Sequence, residues 1–220
     1  MPWAPTILQQ FNIHEAHPDR ENQLYGPFNM LLMELFPHAE GYQVAPQLKG
    51  PFTPGAIDYA IMFLVRKDSQ PILFFEIKPF AHLSKISTRE HADQQIQHCF
   101  NDVIVHERCV IPKLYGISAM GTHLCIYDYE KETNTLSPPL IPHNPTMVND
   151  VAPLARWDLE LLEPSGALRF WQIITEVKAM AQMVAVCASS LIIFICSLLT
   201  SHPYHYNVVD KGDVSVPPLD

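Results

Sequence analysis

The chain has 220 residues, with 14 Lys and Arg against 23 Asp and Glu, so its formal net charge is −9 with histidine neutral. That balance excludes a protein that grips nucleic acid through bulk positive charge; a nucleic-acid role needs a local basic surface or a metal. Hydrophobic residues make up 48% of the chain, enough for a sizeable core, which excludes wholesale disorder and fits one domain with an appendage.

The N-terminus lacks the basic start and apolar stretch of a secretory signal. Five scattered cysteines, Cys99, Cys109, Cys125, Cys187 and Cys196, form no C-x-x-C pair, so neither a zinc ribbon nor a disulfide framework is indicated. The triplet Asn144-Pro145-Thr146 carries the proline that blocks glycosylation. A reducing compartment, nuclear or cytoplasmic, is expected.

In chain order, residues 1–20 read as a polar, irregular segment. Pro27–Phe36 predicts a short helix, with proline in its first turn and Pro37 after its end. Gly41–Leu48 suits a first strand and Gly50–Gly55 a loop. Ile57–Lys67 and Ile72–Phe80 read as two strands joined by a turn at Asp68–Pro71. Both are apolar on both faces, as central strands covered by helices are. Ser87–His106 is the clearest helix, with Ala92, Gln95/Ile96, Cys99/Phe100 and Val103 at helical spacing. Lys113–Ala119 and Thr122–Glu130 predict a hairpin around Met120-Gly121; residues 137–156, with five prolines, predict a long loop. Trp157–Leu162 suits a further strand and Gly166–Met180 a closing helix. The whole gives an α/β domain over 21–180.

Glu76 and Lys78 stand inside the most apolar strand-like run. Period-two geometry puts both on one face. A buried carboxylate normally has a partner or a task, since isolating it costs several kcal/mol. Asp58 opens the preceding strand, and two acids and a lysine from adjacent strands could hold a divalent metal. A buried ion pair without metal is the other reading of the same residues. Gly116–Gly121 approaches a nucleophile-elbow pattern, but its second glycine comes one residue late and a strand rather than a helix follows, so Ser118 reads as structural. None of the 11 histidines joins a Cys or Glu at zinc-binding spacing.

The order of these elements, with Asp58 at the start of one strand, Glu76-Ile77-Lys78 in the next and a glutamine-bearing helix after it, resembles the PD-(D/E)XK nuclease superfamily over roughly residues 24–129. Ile57 stands where that motif usually has proline. The resemblance implies a restriction-endonuclease-like mixed central sheet flanked by helices and Mg²⁺-dependent (or Mn²⁺-dependent) hydrolysis of phosphodiester bonds, with DNA as the expected partner. It implies Asp58, Glu76 and the Ile77 carbonyl as metal ligands, Lys78 acting on water or developing charge, Gln95 near lysine or phosphate, and Glu34 as an extra ligand from the first helix. A catalytically inactive nuclease-fold module is the alternative, and the net charge favours it.

The C-terminal run 181–201 carries no charge. It predicts a hydrophobic helix, continuous over most of Ala179–Leu199, that reads equally as a membrane anchor, a helix packed on the domain or an aberrant gene-model end. Residues 202–220 form a tail.

Overall fold

A computed structural model describes residues 3–14, 19–49, 60–106 and 110–200, and the side chains of 3–12, 19–46, 62–104 and 110–184. The chain divides into two compact units, Met1–Ala185 and Val186–Asp220.

The first unit is built on an open sheet of seven strands in the order β1 (Tyr42–Lys49), β2 (Ala60–Lys67), β3 (Gln70–Lys78), β4 (Lys113–Met120), β5 (His123–Glu130) and β6 (Thr135–Ser137), with the two-residue β7 (Leu159–Glu160) also pairing β5. Every pairing is antiparallel except β3 with β4. A parallel pair needs a crossover, and helix α3 (Ile86–His106) provides it. The β2–β3 hairpin turns on Asp68 and Ser69, both left-handed with φ of 49° and 67°, the geometry of the tight turns that match strand twist.

Successive β3 residues serve opposite faces. The Phe74 ring meets Phe100 of α3 at 4.6 Å between centroids. Phe75 meets Phe28 at 4.8 Å and Phe170 at 6.3 Å, which belong to α2 (Asn22–Leu35) and α4 (Pro164–Thr200). All but one residue of β3 and of β4 are buried. This agrees with strands apolar on both faces, and it gives a mixed, mostly antiparallel α/β sheet flanked by helices.

Four expectations need correction. The segment 1–20 is not wholly irregular: α1 (Pro5–His14) starts with proline at its first position, where the missing N–H costs nothing. Trp3, Ile7 and Phe11, four residues apart, are 4%, 1% and 2% exposed, so α1 joins the core. Phe11 packs on Phe28 at 5.0 Å, and Trp3 on Phe170 at 5.9 Å. Second, α2 begins five residues before Pro27 and contains it. Proline inside a helix costs about 3 kcal/mol, and the buried stripe of Leu24, Phe28, Leu31 and Leu35 outweighs that. Third, Trp157–Leu162 splits into a 3-10 turn at Leu154–Trp157 and the short β7, because Arg156 is drawn into the protein by Asp93. Fourth, β6 (Thr135–Ser137) adds a strand where none was expected, with Leu136 opposite Tyr129 of β5.

Among the described residues no helix is long and apolar enough to cross a membrane. The side chains of 185–200 and all of 201–220 lie outside that description, and with them most of the expected C-terminal segment.

Gly116 shows how closely α3 sits on the sheet. It pairs with Phe74 across the parallel strands, and a Cβ there would stand 2.5 Å from the Phe74 ring and 2.8 Å from that of Phe100. Gly116→Ala is therefore expected to destabilise the protein by roughly 1–3 kcal/mol through overpacking. Urea unfolding of the variant checks this, and an unchanged midpoint would mean the interface yields easily.

Candidate functional site

Among the described residues six polar or charged side chains are buried: Glu76, Lys78, Arg89, Asp93, Gln95 and Ser118. All come from β3, α3 and β4. Glu76, Lys78 and Ser118 point to the α3 side, because they share the alternation of Phe74 or pair in register with it: Glu76 lies opposite Ser118, and Lys78 opposite Met120. The compartment between α3 and the parallel pair thus concentrates polarity in an otherwise apolar core.

Two of the six have complete sets of partners. The Arg89 guanidinium donates to the Leu83 and Ala152 carbonyls, both at 2.8 Å, and to Asp150 at 2.6 Å. Asp93 accepts from the Tyr127 hydroxyl at 2.6 Å and the Gln97 amide at 2.8 Å, and it also binds Arg156. Arg156 in turn donates to the Pro139 carbonyl at 2.7 Å. These links pin both ends of the proline-rich loop to α3. Their work is structural, and the sequence reading singled out none of them.

Three of the other four, Glu76, Gln95 and Ser118, are under-satisfied. Both Glu76 oxygens, the Gln95 Oε1 and the Ser118 Oγ are buried without a hydrogen-bond partner. The nearest cation to Glu76 is the Lys78 Nζ, 3.7 Å from Oε1, an ion-pair distance too long for a hydrogen bond. Glu76 is 1% exposed and Lys78 6%. A buried carboxylate with neither oxygen engaged is rare, because each missing bond costs the desolvation of that atom. Burial accordingly pushes the Glu76 carboxyl up to about 7; the Lys78 charge pulls it down, the Glu21 carboxylate pushes it up, and the Lys78 and Ser118 donors, which stand close to hydrogen-bonding reach of the carboxylate, pull it down.

Of the expected site residues, Glu76, Lys78 and Gln95 are brought into this buried layer. Ile77 lies between the first two in β3, with its side chain buried on the opposite face. Asp58 falls outside the described residues. Glu34 sits on the exposed side of α2, away from the buried stripe that holds this helix to the sheet. Among the described residues, an acid whose charge does reach Glu76 is Glu21, at the N-cap position of the same helix. With the start of α2 placed at Pro27, Glu21 read as part of the irregular N-terminal segment. Among the described residues no group of three or more His, Cys, Asp or Glu side chains is arranged to hold a metal. The donor chemistry of Glu76 nevertheless suits a hard cation, since neither of its oxygens accepts a hydrogen bond.

No protein-family model, curated protein or solved structure matches this chain.

The raised Glu76 carboxyl has a signed consequence for the metal-free protein. Folded, the group holds its proton up to about pH 7; unfolded, it loses it near the ordinary value of 4.5. Stability therefore falls as pH rises through that window, and the loss is complete above it, at roughly 3 kcal/mol. Glu76→Gln should match the wild type near pH 4.5 and exceed its stability at pH 8 by up to about 3 kcal/mol. Urea unfolding at the two pH values measures the gap. A variant less stable by the same amount at both would show that Glu76 is an ionised, well-paired member of a salt bridge.

Proposed function

We propose that the protein is a metal-dependent nuclease that hydrolyses phosphodiester bonds, DNA being the expected substrate. One observation carries this reading: Glu76 is 1% exposed with neither oxygen hydrogen-bonded, and Lys78 stands 3.7 Å away on the same face. Supporting it is the chain order: an acid-capped helix, a hairpin whose second strand carries Glu-x-Lys, a glutamine-bearing crossover helix, and a parallel strand beside the acid. This is the arrangement of the PD-(D/E)XK resemblance.

In this reading Glu76 and Asp58, with the Ile77 carbonyl, hold Mg²⁺, and Glu21 takes the place first expected of Glu34. The bound cation supplies Lewis acidity toward a phosphate oxygen and a water of lowered pKa. Lys78 sets its ammonium where negative charge develops on phosphate, in a layer of low dielectric that strengthens the interaction. Gln95 lines the helix side of the site. The second reading, a catalytically inactive nuclease-fold module, is favoured by the net charge of −9. It differs in keeping the buried layer while cutting nothing.

The test is cleavage of plasmid and single-stranded DNA with Mg²⁺ or Mn²⁺. Lys78→Ala is expected to lose cleavage by roughly 10²–10³-fold, the scale of removing one charge-stabilising group, while keeping the rise in Tm that Mn²⁺ produces. Asp58→Ala is expected to abolish that rise, since a ligand stabilises only the state that binds it. A wild type that is stabilised by Mn²⁺ and cuts no nucleic acid establishes the inactive module. One that is neither stabilised nor active refutes the metal site.

A further inference from the structure

Ser118 is 0% exposed, and its Oγ has no hydrogen-bond partner. It lies in β4, in register with Glu76 across the parallel pair, so the two Cα atoms are one strand spacing apart, about 4.8 Å. Both side chains leave the sheet on the side covered by α3. Strand neighbours on this face offer no better partner: Gly116 has no side chain, Met120 is apolar, Cys125 directly across β5 carries only a thiol, and Tyr127 donates to Asp93. A buried hydroxyl left idle costs stability, and alanine would fit the same space without that cost. The feature asks for a reason that packing does not give.

We propose that Ser118 is a positioning residue for Glu76: its hydroxyl donates to the carboxylate oxygen that does not face the bound cation. The inference rests on the reading of Glu76 as a cation ligand and deepens it. An ionised carboxylate accepts at both oxygens and donates at neither. A cation engages one oxygen, and Lys78 lies on the Oε1 side. The other oxygen, sealed from water, needs a donor. The serine hydroxyl rotates freely about its C–O bond and so can turn to the carboxylate when the ion arrives, with no movement of the backbone. A ligand oriented in this way binds more tightly, as outer partners of metal ligands generally make it do.

The experiment measures Mn²⁺ affinity by calorimetric titration, and Tm without metal, for the wild type, Ser118→Ala, Ser118→Thr and Glu76→Gln. Ser118→Ala is expected to keep or raise the metal-free Tm yet bind Mn²⁺ about tenfold more weakly, the scale of one hydrogen bond to a charged group. Ser118→Thr, which restores the hydroxyl, should recover most of the affinity. Wild-type affinity in Ser118→Ala overturns the proposal, and so does a marked fall in its metal-free Tm, which would make the hydroxyl part of the fold. If Glu76→Gln binds Mn²⁺ as well as the wild type does, or the wild type binds none, the cation reading of Glu76 fails and the proposal fails with it.

Discussion

Parallel pairing of β3 with β4 is the constraint from which the rest of this architecture follows. All other neighbours in the sheet run antiparallel. Hairpins cannot join two parallel strands, so the 21 residues of α3 cross one face of the sheet. There Ala92, Ile96, Phe100 and Val103 of the helix are buried, and Phe100 packs on Phe74 of β3. Gly116 lets the helix approach this closely. The opposite face goes to α1, α2 and α4, whose aromatic residues meet around Phe28, Phe75 and Phe170.

The buried polar residues under α3 divide by how they are satisfied. Arg89 and Asp93 bind a surface loop to the helix and have their hydrogen bonds filled. Breaking either would leave a charge uncompensated, which costs about 3–5 kcal/mol. Glu76, Gln95 and Ser118 keep unmatched atoms although they sit only one helix turn or one strand away. A core under selection for stability alone would replace them with apolar residues of similar volume, often at no loss. Orphaned polar atoms beside a lysine, with a carboxyl held near neutral pH, are the pattern of a site prepared for something that arrives from outside.

Much of this was legible in the sequence where one signal dominates. The two-sided apolar runs at 62–65 and 72–77 could only be central strands, and the Asp68-Ser69 turn and the helical spacing of Ala92, Ile96 and Val103 needed no tertiary information. Glu76 and Lys78 stood out because charge in such a run is costly. What was missed depended on distant partners. The α1 stripe Trp3, Ile7 and Phe11 is too short to announce itself among polar residues, and becomes a helix by packing on Phe28, Phe170 and Trp171. The start of α2 was hidden by Pro27, whose penalty is overcome by a core that only the fold supplies. That displaced start assigned the helix acid to Glu34 and hid Glu21. Ser118 drew notice only as the centre of an imperfect elbow pattern, since the register that sets it opposite Glu76 is a tertiary fact.

The central claim is that the Glu76 carboxylate awaits a hard cation and is not simply the partner of Lys78. A crystal structure of the protein with Mn²⁺, measured for anomalous scattering from the metal, tests it most directly. The account predicts an anomalous peak within roughly 2.5 Å of a Glu76 oxygen, with the Lys78 ammonium clear of that position. A Glu76 with no metal peak beside it, hydrogen-bonded to the Lys78 ammonium, would contradict the account and leave a buried ion pair in its place.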